Sequence, residues 1–95
     1  MFTKEDFSDI DTVYFSVKSF TGYHIILKSK NTGHIWDIYY RPFPGGHSLV
    51  IHHKHKEKDP FHQQPYFHPR TLEEAQDMIK KHDTWQLKGR KEGTR

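Results

Sequence analysis

Nine histidines make up the part of this 95-residue sequence with the most obvious capacity for chemistry. Five of them lie close together in the chain, at positions 52, 53, 55, 62 and 68. On an extended strand His53 and His55 project from the same face, and the loop that follows can bring His62 or His68 beside them. Neutral imidazoles are ligands for zinc and other transition metals. One hypothesis is therefore a metal site formed by His53, His55, His62 and His68, although the spacing matches no established zinc motif.

Two other interpretations of these histidines stay open. Dispersed surface histidines, partly protonated near neutral pH, need no ligand at all. A histidine pair can also act as general base and acid in phosphodiester cleavage, with Lys54 or Arg41 stabilising the phosphorane. The sequence has no Gly-rich phosphate loop, and none of its serines lies in a nucleophile elbow. A nuclease is therefore the third hypothesis, and no cofactor other than a metal is expected.

Aromatic residues in a proline-containing segment form another candidate binding feature. Residues 57–70 contain three prolines and no periodic pattern, which indicates a long loop. Its aromatic residues Phe61, Tyr66 and Phe67 could anchor a protein partner. The alternative is a structural flap that folds back over the edge of the domain and adds area to its core.

The element that must position these residues is a central β-hairpin. Residues 23–40 contain two alternating apolar runs joined by a polar turn. A three-residue loop would mix charged and apolar side chains on both faces. A four-residue loop at 31–34 instead places Leu27 opposite Ile38 on an apolar face. On the opposite face it pairs Lys28 with Asp37.

One further strand on each side extends the hairpin. Residues 13–18 alternate, and residues 20–22 fit a three-residue turn with Gly22 in the left-handed region, which sets Val17 opposite Ile25. After a connection that contains two prolines, residues 47–54 alternate again. Sequential strands with short connections predict a four-stranded antiparallel meander.

Two helix-start patterns complete the predicted fold. Thr71 and Glu74 form a capping box at the start of a C-terminal helix whose apolar stripe should cover one face of the sheet. Thr3 and Asp6 indicate a possible short N-terminal helix. The sequence thus predicts a single α+β domain over residues 1–87, followed by a basic, flexible C-terminal tail over 88–95.

A sheet covered by one helix leaves its other face to solvent or to a ligand. The predicted register places aromatic and cationic side chains together on that face: Tyr14, Lys18, His24, Lys28, Tyr39, Arg41, His52 and Lys54. Aromatic rings stack on bases and cations neutralise phosphates, so this pattern is typical of single-stranded nucleic-acid binding. An ordinary solvated face is the alternative, since the aromatic-glycine motif of RNP type is missing.

The composition narrows the functional classes. No cysteine is present, which excludes disulfides and thiolate metal sites, and no apolar run is long enough to span a membrane. Residues 1–11 hold one lysine against four acidic residues, so the rest of the chain is more basic than the net charge of +3 indicates. We expect a small cytoplasmic, non-enzymatic binding protein with nucleic acid as its ligand. A protein-binding accessory or inhibitor module that uses the loop 59–70 or a sheet edge is the alternative, and the sequence also permits a homodimer.

Overall fold

Residues 1–89, which the computed structural model describes, contain five strands and two α-helices. The elements are α1 (Lys4–Ser8), β1 (Phe15–Phe20), β2 (His24–Ser29), β3 (Ile35–Phe43), β4 (Gly46–Lys54), β5 (His62–Gln63) and α2 (Leu72–Thr84), which continues as a π-helical turn (Trp85–Gly89). The strands pair antiparallel in sequence order. The predicted α+β class and both helices are confirmed. The sheet has five strands rather than four because two residues of the long loop pair with β4.

The predicted tail falls mostly outside the described part of the chain. Lys88 and Gly89 end the π-helical turn, and residues 90–95 lie beyond the described residues. The boundary at residue 87 therefore stays a prediction.

The central hairpin has the predicted faces but a different register. Leu27 lies opposite Trp36 and Ile25 lies opposite Ile38, so the predicted Leu27–Ile38 pair is wrong. Lys28 likewise lies opposite Ile35 rather than Asp37. The shift in pairing is two residues, and a shift of two leaves every side chain on the face predicted for it.

The shift arises from where the loop begins. The loop has four residues, as predicted, but they are residues 30–33, one position earlier than expected. The backbone N–H of Ser29 donates to the carbonyl of His34 at 2.9 Å, which closes the hairpin around them. Gly33 ends the turn with φ of 77°, a left-handed conformation that favours glycine.

The turn between β1 and β2 is formed by a threonine instead of a left-handed glycine. The hydroxyl of Thr21 accepts hydrogen bonds from the backbone N–H groups of Tyr23 and His24, at 3.3 and 2.9 Å. Gly22 has no positive φ, so the prediction for it is wrong. Val17 pairs with Leu27 instead of Ile25, and the register then shifts at a bulge before Ser19.

A two-residue turn at Pro44 and Gly45 connects β3 and β4, which makes both strands longer than predicted. Phe43 pairs with Gly46, and Gly45 adopts φ of 90°. Residues 41–43, predicted as a connection, are part of β3. Since the pairing of β2 with β3 ends opposite Tyr39, the rest of β3 has a free edge on that side, where Pro42 is tolerated.

Helix α2 covers one face of the sheet, as predicted. Its stripe of Leu72, Ala75 and Ile79 belongs to one core cluster with the inward residues of β1 to β4. Gln76 also points inward: its side-chain oxygen accepts from Asp11 N–H at 2.8 Å, and its amide donates to the carbonyl of Asp9 at 2.9 Å. Burial of this face leaves the opposite face of the sheet uncovered by helix.

The start of α2 realises half of the predicted capping box. The Thr71 hydroxyl accepts from Glu74 N–H at 3.1 Å, but the Glu74 carboxylate accepts from the N–H of Arg70 at 3.4 Å instead of from Thr71. At α1 the box is complete, with Thr3 and Asp6 bonded in both directions.

Candidate functional site

The sheet face opposite α2 bears most of the side chains predicted to bind nucleic acid. We call it the lysine face and define it by the residues that the pairing and side-chain contacts place there: Lys18, His24, Lys28, Asp37, Tyr39, Arg41, His52 and Lys54. They come from β1, β2, β3 and β4, and alternation along these strands separates them from the core. The alternation predicted from sequence therefore identifies this surface correctly.

Three lysines of this face lie near Glu57, and one of them pairs directly with its carboxylate. Lys18 Nζ lies 2.6 Å from Glu57 Oε1. The pKa of Glu57 is lowered by this hydrogen bond, and the nearby charges of Lys54 and Lys28 lower it further. Lys54 also donates to the backbone carbonyl of Glu57 at 2.9 Å. One end of the face thus concentrates positive charge around Glu57, an anion that the chain itself supplies.

The segment after β4 brings Glu57 to this position. Glu57 follows β4, yet its partner Lys18 is on β1, so the segment folds toward the far edge of the sheet over β2 and β3. Lys54 lies 4.6 Å from the centre of the Phe61 ring, and Ile35 between the lysine-bearing strands is only 2% exposed. This end of the face is therefore partly covered, contrary to the expectation of an entirely open surface.

The other end of the lysine face carries a stacked pair of rings. His24 and Tyr39 are cross-strand partners whose rings lie 4.8 Å apart at an angle of 18°. His24 Nδ1 lies 2.9 Å from a carboxylate oxygen of Asp37, and His52 Nδ1 lies 3.9 Å from the other. Asp37 is only 8% exposed, and its 2.9 Å contact with Nδ1 of His24 holds that imidazole beside the Tyr39 ring.

Tyr14 does not belong to this face, which corrects the prediction for it. Its hydroxyl donates to Asp83 Oδ2 of α2 at 2.7 Å and accepts from Asn31 Nδ2 at 3.1 Å. Burial, together with the bond to Asp83, raises the pKa of Tyr14 to about 12. Residue 14 precedes β1, so strand alternation does not determine where its side chain points.

A group of histidines lies at the opposite, helix-covered side of the sheet. We call His34, His53 and His55 the histidine cluster; one ring nitrogen from each lies within 4.8 Å of the others. His53 Nε2 is 3.0 Å from His34 Nδ1, and the rings of His34 and His55 stack at 4.3 Å. Of the four predicted metal ligands, the structure brings His53 and His55 together.

The remaining predicted ligands are placed differently. His62 on β5 is the cross-strand partner of His53 on β4, and both line a cavity beside the cluster. His62 does not belong to the cluster itself. His68 is exposed and is not one of its members. His34, which sequence reasoning missed, lies one residue before β3, at the position facing His55 if the β3–β4 register is continued. Only a correct β3–β4 register would have predicted that His34 lies beside His55.

Burial shapes the electrostatics of the cluster. His53 is 6% exposed and stacks on Trp36 with ring centres 4.0 Å apart. Burial lowers the pKa of His53 to about 3, and the neighbouring imidazoles, His34 first, contribute in the same direction. Burial also lowers the pKa of His82 on α2, whose ring lies 5.1 Å from that of His53. His53 is consequently neutral at physiological pH, the form in which an imidazole binds metal.

The three aromatic residues proposed to bind a protein partner have different environments. Phe67 packs against the core, with its ring 6.2 Å from Trp36, and Phe61 lies under Lys54. Tyr66 is 91% exposed. Phe61 and Phe67 thus pack against the domain, as a structural flap would, whereas Tyr66 points into solvent. Trp85 and Leu87, in the π-helical turn after α2, are more than half exposed at 56% and 51%.

No protein-family model matches the chain, and comparisons with curated proteins and with solved structures give no match either. Within residues 1–89, no helix is both long enough and apolar enough to cross a membrane.

Proposed function

We propose that this chain is a small non-enzymatic binding protein whose lysine face binds single-stranded nucleic acid. The observation that carries the proposal is the placement of three lysines from three strands near Glu57. Lys18 pairs with its carboxylate, Lys54 donates to its backbone carbonyl, and the charge of Lys28 helps to lower its pKa. Three cations around one anion leave an excess of positive charge. Such a concentration of positive charge suits a phosphate group of a nucleic acid. We expect that phosphate to bind at the place that the Glu57 carboxylate now occupies.

The positions of the lysines suit an extended chain of phosphates. Lys28 and Lys54 are the cross-strand partners of Ile35 on its two sides. Their backbones are therefore about 10 Å apart, which is two strand spacings. Long lysine side chains can reach different phosphates from these positions while their stems cover Ile35.

The stacked rings supply the second component of recognition. His24 is four residues from Lys28 along β2, which places the rings about 13 Å from the lysines. Stacking of a base on an aromatic side chain contributes about 1–3 kcal/mol and tolerates any base. A strand of a few nucleotides could therefore contact phosphate sites at one end of the face and a ring platform at the other. Exposed Arg41 extends the positive charge beyond the platform.

The test is the affinity of the untagged chain for a fluorescein-labelled, mixed-sequence single-stranded oligonucleotide, measured by anisotropy over a series of salt concentrations. Each lysine that contacts a phosphate should contribute about 0.7 to the slope of log affinity against log salt. Lys28→Ala should weaken binding and reduce that slope by this amount. Lys81→Ala removes an exposed lysine of α2 and is the matched control, with no change expected.

Two further variants separate this site from general basicity. Glu57→Gln should tighten binding severalfold, because it removes the competing anion while keeping the shape of the side chain. Tyr39→Ala should weaken binding without changing the salt slope, since a stacked ring releases no counterions. Equal effects of Lys28→Ala and Lys81→Ala, or unchanged affinity in Glu57→Gln and Tyr39→Ala, would contradict the proposal. Salt-independent binding of a protein partner would favour the aromatic loop instead.

A further inference from the structure

The pairing of β3 with β4 assembles the histidine cluster from distant parts of the sequence. Trp36 lies opposite His53, and the same register continued by one residue sets His34 opposite His55. All these side chains point to the helix-covered side of the sheet. The cluster lies at the end of the sheet, where that side meets solvent: His53 is buried, His34 is half-buried and His55 is exposed.

The nitrogen positions approach those of a tetrahedral metal site. With zinc–nitrogen bonds of 2.0–2.1 Å, two imidazole nitrogens on the same ion are about 3.3 Å apart. His34 Nδ1 and His53 Nε2 are 3.0 Å apart, and one ring nitrogen from each of the three histidines lies within 4.8 Å of the others. The ring of His55 stacks on that of His34 at 4.3 Å and an angle of 9°, so it has to turn out of this stack before both rings can coordinate one ion.

We propose that His34, His53 and His55 bind one divalent transition-metal ion of the zinc or copper type. His34 donates through Nδ1, His53 through Nε2 and His55 through its near ring nitrogen. Imidazole ligands favour zinc, copper and nickel over magnesium or calcium. The site is on the opposite side of the sheet from the lysine face and does not depend on nucleic-acid binding.

The surroundings of His53 suit a metal ligand. The side-chain amide of Gln64 lies 3.4 Å from Nδ1, the nitrogen that would carry the proton when Nε2 binds the ion. Rotation of this amide by 180° presents its oxygen as an acceptor for that N–H, the outer-shell contact that metal-bound histidines usually make. Trp36 stacks on the ring from below and limits its movement.

A fourth coordination position has space beside the cluster. His53 and His55 line a cavity of about 440 Å³ together with Lys54, Asp59, Pro60, His62 and Gln64. The Asp59 carboxylate, the His62 imidazole or a water molecule can complete a four-coordinate ion from this cavity. Three protein nitrogens with one exchangeable position are the ligand set of zinc sites that interact with small molecules.

The experiment is a titration of the full chain, produced without a histidine tag and freed of metal by chelation, with Zn²⁺ in competition with a chromophoric chelator. We expect one equivalent to bind with a dissociation constant below about 1 μM. His55→Asn and His34→Asn should each weaken binding by about 100-fold or more. His68→Asn is the matched control, because it removes an exposed histidine outside the cluster, and its affinity should stay within about twofold of the unmodified chain.

A second measurement makes the test independent of affinity alone. Long-range ¹H–¹⁵N spectra of the histidine rings should show zinc-induced shifts at His34 Nδ1 and His53 Nε2, with the other nitrogen of each ring protonated. These variants leave the buried His53 in place, and far-UV circular dichroism checks that they fold. Absence of stoichiometric zinc binding, an equal loss in His68→Asn, or shifts at other ring nitrogens would overturn the proposal.

Discussion

Neighbouring residues at the end of one strand put different kinds of side chain on the two sides of the sheet: imidazoles on one side and an ammonium group on the other. At the end of β4, His53 and the next residue but one, His55, lie on the helix-covered side, whereas Lys54 between them lies on the lysine face. On the lysine side the ammonium group of Lys18 stays partly exposed and pairs with the Glu57 carboxylate, and Lys54 donates to the backbone carbonyl of Glu57. On the other side the imidazole of His53 is packed against Trp36. The difference follows from the two-residue period of a strand combined with a helix on only one face.

The two regions should therefore depend differently on the fold. Exposed ion pairs such as Lys18–Glu57 contribute little to stability, because water screens them and long side chains lose entropy when they are fixed. The rings around His53 are in close contact and cannot be removed without leaving a cavity. Substitutions near the histidine cluster should change the free energy of unfolding, whereas substitutions on the lysine face should change ligand binding alone.

Trp36→Ala should have the largest effect. The indole is 0% exposed, donates a 3.1 Å hydrogen bond to the buried hydroxyl of Ser29 and stacks on His53. Its loss leaves a large cavity, and we expect the free energy of unfolding to fall by about 3–5 kcal/mol in urea denaturation. Lys28→Ala is the control and should change this free energy by no more than about 0.5 kcal/mol. A comparable loss in both variants would remove the distinction between the two regions.

Acid should destabilise the metal-free chain through the histidine cluster. The unfolded chain takes up a proton at His53 near pH 6.5, whereas the folded chain does so only near its pKa of about 3. The unfolded state therefore binds more protons between these values, and the free energy of unfolding should fall as the pH drops below about 6.5. One histidine contributes up to about 1.4 kcal/mol per pH unit, and the lowered pKa of His82 adds to the same trend.

Urea denaturation at pH 7.5, 6.5, 5.5 and 4.5 measures this dependence. The charged and titratable groups that face His53 are His34, His55, His62 and His82. Replacing exposed His68 with asparagine should leave the slope unchanged. A free energy of unfolding that stays constant from pH 7 to pH 5 would mean that the cluster accepts protons while folded, as solvated histidines do.

Sequence patterns predicted the faces of this fold better than its pairings. Alternation identifies which side of the central hairpin is apolar, and a two-residue slip preserves that answer, so the pattern cannot distinguish a loop at 30–33 from one at 31–34. The bulge after Val17 and the hydrogen bonds of Thr21 depend on local turn chemistry that hydrophobicity does not encode.

The candidate functional residues show the same difference: those placed by strand alternation were predicted, and those placed by strand pairing or by an irregular segment were missed. His53 and His55 share a face by simple alternation and were predicted together. His34 is their neighbour only because β3 pairs with β4. This pairing joins segments far apart in sequence: His34 and His53, which are in contact, are separated by 19 residues. Glu57 was likewise missed, because its position depends on the path of an irregular segment over the sheet. Tyr14 was assigned to the wrong region because residues before a strand do not follow its alternation.

Tyr14→Phe should have the smallest of these effects and decides the region to which Tyr14 belongs. Asp83 is 0% exposed and would lose its 2.7 Å hydrogen bond, keeping the 3.1 Å bond from Thr32. We expect the free energy of unfolding to fall by about 1–3 kcal/mol, since a buried carboxylate would be left with fewer donors. Oligonucleotide affinity should not change. Tyr39→Phe, which removes the equivalent hydroxyl from the lysine face and keeps the ring, should leave both quantities unchanged. If Tyr14→Phe weakened oligonucleotide binding at constant stability, Tyr14 would belong with the lysine face after all.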